Sequence, residues 1–474
     1  MKFLLRCALL CLVVFFLSFE FSFAQSKTAQ TKPSRTIGWN ALPSILKRIT
    51  PPVFPKKIFD VLTFGARGDG KTDCTGAFAS AIDKCSKEGG GTVMVPEGTY
   101  LSGAIHLKSN VNFHVSKGAV IRFSTDPRQY LPVVFTRWEG TECMNYSALI
   151  YAYKQENIAV TGEGILEGQA SDENWWSWKG NRENGAGKPN QNEARKKLLT
   201  MGDNGVKVEQ RVFGDGSYLR PNFFQPYRCN NVLVEGVTFR NSPMWFLNPV
   251  LCKNVSVINV TTEGQGPNND GCDPESCTDV LIKKCFFNTG DDCIAIKSGR
   301  NADGRRVNVP CENIIVQECT MRNGHGGVVI GSEVSGSVRN VFAEDCTMDS
   351  PNLERALRIK TNAVRGGVIE NVFMRNVKVG QISEAVVKVD FYYEEGDKGN
   401  FPPVLRNVEI QNVECSKSKF GLWIRAYETS PATGITIRNC TFNNVEEADV
   451  LDNVSNLTLL NVKTIYRSAK EMGK

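Results

Sequence analysis

The chain has 474 residues, enough for one large domain or two modest ones, and a formal net charge of +6. This mild basic excess suits an acidic polymer as partner, but it suits a protein without such a partner equally well, so charge alone excludes neither. Beyond the N-terminal segment no apolar stretch approaches the length of a membrane span, which excludes a protein with several spans.

The first 24 residues predict a cleaved secretory signal. Lys2 and Arg6 precede a long apolar run, and a small-residue cleavage site follows at residues 22–24. A membrane anchor fits less well, because Ser18 and Glu20 interrupt the run. We therefore expect a secreted or periplasmic protein that has no membrane partner after signal cleavage.

Residues 25–55 are polar and contain several prolines, so they are interpreted as an N-terminal linker or arm. The remaining residues, 56–474, are expected to form one domain. Near its start the sequence predicts an amphipathic helix with Asp73 as a plausible N-cap. The apolar face of this helix consists of Ala77, Phe78, Ala81 and Ile82.

One pattern recurs through the second half of the chain: a turn residue, apolar residues at +1 and +3, and Val or Cys at +6. Its nine copies start at residues 231, 254, 279, 313, 340, 371, 407, 434 and 456. Period-2 alternation makes each copy a short strand, and strands that cannot bury their apolar face alone must stack. The prediction is an all-β protein, a right-handed single-stranded parallel β-helix of about ten coils whose N-terminal end is capped by the helix.

Fourteen of the 16 cysteines follow the predicted signal, an even number that first suggests disulfides. Four of them occupy the +6 slot that Val fills in other coils, which favours reduced, buried thiols. These four are Cys285, Cys319, Cys346 and Cys440. Bridges between Cys272 and Cys277, or between Cys74 and Cys85, remain open. No Cys/His spacing indicates zinc.

Four short polar segments fall on successive predicted coils. They contain Asn268 and Asp270, then Asp291 and Asp292, then His325 between two glycines, and finally Arg358 and Lys360. Equivalent positions on neighbouring coils lie about 4.8 Å apart, so these side chains are predicted to be neighbours in space.

Three carboxyl groups in one place can perform acid–base chemistry. Hydrolysis of a glycosidic bond with inversion needs one protonated carboxyl and one carboxylate that activates water, about 6.5–9.5 Å apart. Asp270, Asp291 and Asp292 could supply this set, because crowded carboxylates raise at least one pKa. A calcium cluster or solvated turn acids are the alternatives.

Arg358 and Lys360 stand at i and i+2, so they point to the same face of one strand. Two cations beside three acids suit the binding of a substrate carboxylate, for which Arg offers a bidentate fork. The alternative is that they form salt bridges with the aspartates themselves. The glycines around His325 give it room to orient an acid or to bind a sugar hydroxyl.

These ordered motifs resemble those of glycoside hydrolase family 28, the polygalacturonases, from about residue 59 to the C-terminus. The resemblance implies that Asp291 is the general acid, that Asp270 and Asp292 activate the water, and that His325 assists the acid. It also implies inversion without metal or cofactor.

The same resemblance assigns substrate binding to a second set of residues. Arg358 and Lys360 would hold a galacturonate carboxylate at subsite −1, with Asn268 and Tyr393 as further substrate-binding residues. Asn269 departs from the usual motif, which has Thr there. We expect this departure to change packing or a substrate contact without loss of activity.

The implied activity is hydrolysis of α-1,4 galacturonosidic bonds in polygalacturonate and pectin oligosaccharides. The long connection at residues 168–223, with a tryptophan cluster, is expected to form a wall over the cleft. The connection at residues 299–310, with three arginines, resembles loops of bacterial exo-acting family members that close the cleft into a pocket, and the two together favour exo-cleavage. The expected partner is the oligosaccharide and not nucleic acid, and a monomer is expected. Alternatives are a rhamnogalacturonan or other pectin-backbone hydrolase, a β-elimination lyase, and a non-catalytic glycan-binding β-helix.

Overall fold

The computed structural model of the chain describes residues 37–180 and 187–467. The predicted signal at residues 1–24 lies outside the described residues, and the division into linker and β-helix domain stays a prediction. Among the described residues no helix combines the length and the apolar character needed to cross a membrane.

Nearly all strands are parallel and belong to three ladders. The first ladder pairs thirteen strands of the described chain in sequence order. They are Ile58–Asp60, Gly91–Val95, Val111–Val115, Glu156–Gly162, Asn230–Glu235, Lys253–Ile258, Thr278–Lys283, Cys311–Gln317, Val338–Glu344, Val368–Gln381, Val404–Lys417, Ala432–Val445 and Val454–Tyr466.

The second ladder flanks the first and merges with it at the long strand Val368–Gln381. Its own strands are Asp69–Asp73, Gly98–Ser102, Ala119–Phe123, Ile165–Glu167, Thr238–Arg240, Thr261–Gly264, Phe286–Thr289, Thr320–Met321 and Thr347–Met348.

The third ladder closes each coil and carries the polar segments. Its strands are Ile105–His106, Ile150–Tyr153, Phe224–Tyr227, Ile294–Ile296, Val328–Gly331, Arg355–Lys360, Ala385–Asp390, Phe420–Arg425 and Val450–Asp452. Isolated bridges from Phe224 through Leu247 and Cys272 to Ile294 join its two halves. The right-handed parallel β-helix predicted from the repeat is confirmed. The first ladder has more strands than the roughly ten predicted coils, because its first two strands lack an Asn-led copy and the copies at Asn110 and Asn157 are looser.

The asparagine that opens each repeat adopts a left-handed backbone conformation, which Asn tolerates better than most residues. Asn231, Asn254 and Asn340 have φ values of 57°, 57° and 59°. Their side chains also bond from coil to coil: Asn254 Nδ2 donates to Asn231 Oδ1 at 2.8 Å, and Asn340 Nδ2 donates to Asn313 Oδ1 at 2.9 Å. The repeated turn residue therefore holds coils in register as well as bending the chain.

The interior column is filled by the residues at +1, +3 and +6 of each repeat. In the first clear copy Val232, Val234 and Val237 are fully buried. The four cysteines predicted at +6 are buried in the same column, and all fourteen cysteines of the described chain are free thiols. Neither of the bridges left open from the sequence forms. The interior column is thus packed as a small-residue apolar core and is not held by disulfides.

Within the described residues, four α-helices lie outside the ladders: α1 at Leu42–Leu46, α2 at Thr75–Lys87, α3 at Asn192–Asp203 and α4 at Asn301–Val307. Helix α2 is the predicted cap, with Phe78 packed on Tyr100 and Phe113. Its N-cap residue is Cys74, one position after the predicted Asp73, although the Asp73 carboxylate accepts a hydrogen bond from the Thr75 amide at 2.9 Å.

Helix α1 lies in the stretch predicted as a linker or arm, and it packs on the outside of the first ladder. Leu42 and Ile45 join a buried cluster with Ile315, Phe342 and Phe373. Residues from 37 onward in this stretch are therefore part of the packed structure.

Candidate active site

The four polar segments meet on the third ladder because the repeat brings them to neighbouring rungs. Val329 pairs with Arg358 and Gly331 with Lys360, while Ile294, just after the aspartate pair, pairs with Val328. Asp270 lies two residues before Cys272, whose backbone forms an isolated β-bridge with Ile294. Stacking therefore gathers side chains that stand up to 90 residues apart in sequence.

The three aspartates form one cluster. One carboxylate oxygen from each of Asp270, Asp291 and Asp292 lies within 4.8 Å of the others. Asp291 and Asp292 fall between the strands Phe286–Thr289 and Ile294–Ile296, so the alternation of a regular strand does not separate them. The 4.8 Å limit applies to one oxygen from each aspartate. The 6.5–9.5 Å expected for inversion is the separation between two whole carboxyl groups, so it is a different quantity.

Asp291 is the most accessible carboxylate of the cluster and is paired with His325. Their contact, between Asp291 Oδ1 and His325 Nδ1, is 2.9 Å, and the same oxygen accepts the Asp292 amide at 3.0 Å. The hydrogen bond to Asp291 raises the pKa of His325 to about 9. Burial alone would raise the pKa of Asp291, but the His325 bond and nearby lysines bring it below its usual range.

Asp270 has the opposite environment. It is buried, its Oδ1 has no hydrogen-bond partner among the described residues, and its closest cation is Lys297, with Nζ 4.0 Å from Oδ2. Burial, together with the charges of Asp273 and Asp291, raises the pKa of Asp270 well above its usual value. Crowding thus raises a carboxyl pKa, as expected from the sequence, and within the trio the raised pKa belongs to Asp270.

Asp292 is fully buried and binds both predicted cations. Lys360 Nζ lies 2.7 Å from Oδ2 and Arg358 Nη1 lies 3.3 Å from Oδ1. The two cations lie on one strand as predicted, and both form salt bridges with Asp292, which was the alternative considered from the sequence. Tyr393 lies beside both, with its ring centroid 5.5 Å from the Arg358 guanidinium and 5.3 Å from Lys360 Nζ.

The asparagines before Asp270 support the turn. Asn269 is fully buried, and its side chain donates to the carbonyls of Ser242 and Met244 at 2.9 and 3.0 Å. Its Oδ1 accepts the Gly266 amide at 3.0 Å, so the Asn269 side chain holds the turn, and the effect of its departure from the usual motif stays a prediction. Asn268 lines the cavity and accepts a hydrogen bond from the Arg220 guanidinium at 2.7 Å.

The cluster opens into a cavity of about 350 Å³ that is lined mainly by polar and charged residues. Six of the eight predicted site residues line it, and the other two, Asp292 and Arg358, lie behind Lys360, which contacts Asp292. The six are Asn268, Asp270, Asp291, His325, Lys360 and Tyr393.

Three segments that leave the coils form one side of this cavity, and we call them together the wall. They are the antiparallel hairpin of Val134–Trp138 and Thr141–Asn145, the described parts of residues 168–223, and the connection 299–310. The predicted wall over the cleft is thus confirmed for the described residues, and the hairpin is an addition to it. The wall residues that line the cavity are Glu139, Lys179, Arg195 and Arg300.

Buried ion pairs hold the wall together. Arg211 Nη1 lies 2.6 Å from Asp303 Oδ1 and donates to the Glu142 carbonyl at 3.0 Å, while Asp303 Oδ2 accepts the Glu142 amide at 2.9 Å. One buried pair thus joins the hairpin, the long insertion and helix α4. Of the three arginines in the 299–310 connection, Arg300 reaches the cavity, where it pairs with Glu333 at 3.5 Å.

Sequence reasoning missed the cation at the centre of the acidic side. Lys297 Nζ lies 3.2 Å from Glu333 Oε2, 3.9 Å from Asp273 Oδ2 and 4.0 Å from Asp270 Oδ2. Its ammonium also lies 4.8 Å from the centroid of the Trp245 ring. Its position could have identified Lys297 from the sequence, because it is a lysine directly after Ile296, at the end of a buried third-ladder strand.

The three aspartate oxygens are a set that a hard divalent cation accepts. The side chains around them already supply positive charge: Lys360 and Arg358 contact Asp292, His325 contacts Asp291, and Lys297 faces Asp270. This arrangement compensates the carboxylates with protein cations and fits acid–base chemistry better than a calcium site.

Known proteins resemble this chain in sequence and in structure. Residues 210–458 match the family described as Glycosyl hydrolases family 28, and residues 58–117 match Rhamnogalacturonase A/epimerase, pectate lyase-like. The crystal structure of a hyperthermoactive exopolygalacturonase from Thermotoga maritima is similar at 47% identity and a TM-score of 0.87, covering 90% of this chain and 96% of that chain.

Two further relatives are more distant. A probable polygalacturonase from Vitis vinifera is 27% identical over 399 residues, which is 81% of this chain and 74% of the relative. An exo-poly-alpha-D-galacturonosidase from Dickeya chrysanthemi is 24% identical over 362 residues, which is 72% of this chain and 58% of the relative.

Proposed function

Because the chain belongs to glycosyl hydrolases family 28, we propose that it hydrolyses α-1,4 galacturonosidic bonds of polygalacturonate and pectin oligosaccharides from the chain end, with inversion. The observation that carries this proposal is one cavity in which an aspartate trio lies against a paired cationic grip. The trio supplies acid–base chemistry, and Arg358 with Lys360 suits a sugar that carries a carboxylate.

The Asp291–His325 pair serves as the acid. Together the two groups hold one dissociable proton across a 2.9 Å contact, and the raised pKa of His325, about 9, keeps that proton bound at neutral pH. A bound galacturonate adds negative charge, which raises the pKa of nearby carboxyl groups. The proton then moves towards Asp291, the more accessible carboxylate, and from there to the leaving oxygen.

Asp292 and Asp270 activate the water. Asp292, held in place by Lys360 and Arg358, accepts the proton of the water. Asp270 faces Lys297, and its raised pKa makes it the group that shares a proton with Asp292 while the water attacks.

The substrate carboxylate shares the grip with Asp292. Lys360 has three N–H donors and Arg358 has five, so each can bind Asp292 and a sugar carboxylate together. The aromatic ring of Tyr393 lies against both cations of the grip.

The wall supports cleavage from the chain end. Its four lining residues come from segments outside the coils, and they narrow the site to a cavity of about 350 Å³. An enclosed site fits a chain end better than the middle of a polymer. The similar structure from Thermotoga maritima, at 47% identity, is named an exopolygalacturonase.

The N-terminal signal belongs to the same proposal. A polymer of the plant cell wall lies outside the cell that degrades it, so secretion by the predicted signal at residues 1–24 places the enzyme with its substrate. We also propose that it acts as a monomer, because one chain contains the whole cavity.

The test is product analysis on polygalacturonate with purified protein. We expect reducing ends without absorbance of an unsaturated product, galacturonate monomer as the early product, and an inverted anomer by NMR. The Asp292→Asn variant is the matched inactive control. A ladder of oligomers would contradict exo-cleavage, an unsaturated product would indicate a lyase, and no turnover would indicate a binding protein. Turnover of rhamnogalacturonan alone would favour the other pectin-backbone hydrolase.

A further inference from the structure

The cavity contains a second pair of cations besides the grip of Arg358 and Lys360. Lys179 ends the short 3₁₀ helix Trp175–Lys179, and Arg195 lies on helix α3. Both line the cavity and both come from the wall, whereas the grip comes from a third-ladder strand. Two sets of positive charge therefore reach one cavity from different parts of the fold.

Lys179 lacks a fixed counterion. It is half-buried, and no hydrogen bond or ion pair joins its ammonium to another residue of the described chain. Burial lowers the pKa of Lys179, and Glu139 opposes this only in part, since Arg220 and Arg195 act in the same direction as burial. A lysine in this position gains from an added anion.

The Arg195 guanidinium is hydrogen-bonded to the described residues through one of its nitrogens. Its Nε lies 2.7 Å from Glu139 Oε2, and this is the only hydrogen bond of its guanidinium to the described residues. Arg has five N–H donors, so four remain on the terminal nitrogens. Leu198 on the same helix is fully buried and anchors it, which holds the fork at the cavity.

The second pair lies near the reacting groups. Lys179 is close enough to Asp291 for that carboxylate to act on its pKa, and Arg195 is influenced in the same way by Glu333 and Glu394 of the cavity lining. A sugar that is held by the grip and cut beside Asp291 therefore continues towards Lys179 and Arg195.

We propose that Lys179 and Arg195 form a second carboxylate site, which binds the galacturonate unit next to the one held by Arg358 and Lys360. The inference rests on the proposed function and deepens it. The enzyme then recognises two consecutive sugars by their free carboxylates, so a methyl ester on either sugar weakens the binding of the substrate. Specificity for de-esterified chain ends follows from the wall as well as from the coils.

The test uses digalacturonate, the smallest substrate with two carboxylates, and its two monomethyl esters, each esterified on one sugar. For the wild type we expect both esters to have a higher KM than digalacturonate. The variant Lys179→Met should raise KM for digalacturonate about tenfold with a similar kcat, as loss of one charge-assisted hydrogen bond requires. It should also abolish the penalty of one ester and leave the penalty of the other unchanged.

The matched control is Lys197→Met, an exposed lysine on helix α3 that does not line the cavity, and it should behave as the wild type. Arg195→Lys keeps the charge and removes the fork, so it should give a smaller KM increase for the same ester. If thermal melting shows that Lys179→Met does not fold, Arg195→Lys takes its place as the test variant. Unchanged ester penalties in both variants would overturn the second site.

Failure of the two proposals is distinguishable. If the wild type hydrolyses no galacturonan, the proposed function is wrong. If the wild type turns over digalacturonate and Lys179→Met matches Lys197→Met in KM and in ester penalties, only the second carboxylate site is wrong.

Discussion

The coils and the wall differ in what fills their interiors. Along the coils the column is apolar, with Val, Ile, Phe and reduced Cys at repeated positions. In the wall the interior contains buried charge, such as Arg211 with Asp303 at 2.6 Å and Arg137 with Glu275 at 3.3 Å. The coils therefore gain stability from area removed from water, while the wall depends on each charge keeping its partner.

This difference divides the work of the site. The coils place the aspartates, His325 and the grip at spacings set by the ladder, while the wall limits how much of a polymer can enter. We expect coil variants at the site to change the chemical step and wall variants to change stability, cavity shape and substrate choice.

The largest effect is expected for Asp291→Asn. The variant removes the carboxyl of the acid pair from a coil whose core is untouched, so kcat should fall about 10²–10⁴-fold. The melting temperature should stay near that of the wild type, because Asp291 is not part of the apolar column. Full activity of the variant would show that Asp291 is not the acid.

For a wall variant we expect the opposite, a large loss of stability. Arg211→Met leaves Asp303 buried without its closest cation and should lower the free energy of unfolding by about 3–5 kcal/mol, measured by denaturant unfolding. The exposed pair of Arg240 with Glu263 provides the control, since Arg240→Met should cost less than about 1 kcal/mol. Equal costs for the two variants would contradict a wall held by buried pairs.

The pH dependence of kcat tests the acid pair. Because the folded pKa of His325 is raised to about 9, the pair keeps its proton below that pH and loses it as the pH rises through 9. We expect kcat to fall on that alkaline side, and the stability contributed by the Asp291–His325 contact to be lost over the same range, from about 6.5 to 9. In His325→Gln the alkaline fall should move away from 9. An unmoved profile would assign the titration to another group.

The smallest effect is expected for Asn269→Thr, which restores the usual motif in the coil. Thr cannot make all three hydrogen bonds of the buried Asn269 side chain, so we expect a loss of about 1 kcal/mol of stability by thermal melting. kcat should be nearly unchanged, since these bonds hold the turn and do not touch the substrate. A large fall in kcat would show that Asn269 also positions Asp270.

The fold and most of the candidate site were predictable because the repeat is local. A turn residue followed by +1, +3 and +6 apolar residues predicts a strand wherever it occurs, and stacking then brings Asp270, Asp291 and His325 together. The coils before residue 156 lack a clear copy of the pattern, so the number of rungs was underestimated. Lys297 was missed because one buried lysine in an apolar strand has no periodic signal.

The sequence alone determined the ladder and the four buried thiols at +6, because these follow from short patterns repeated at a regular spacing. The candidate acids and the grip were proposed from ordered motifs that resemble those of the family. The tertiary structure decided which aspartate has the raised pKa, that Asp292 is bound by both grip cations, and that Lys179 and Arg195 share the cavity. These features depend on contacts between segments far apart in the chain, and the local electrostatic environment that sets them exists only after the wall has packed against the coils.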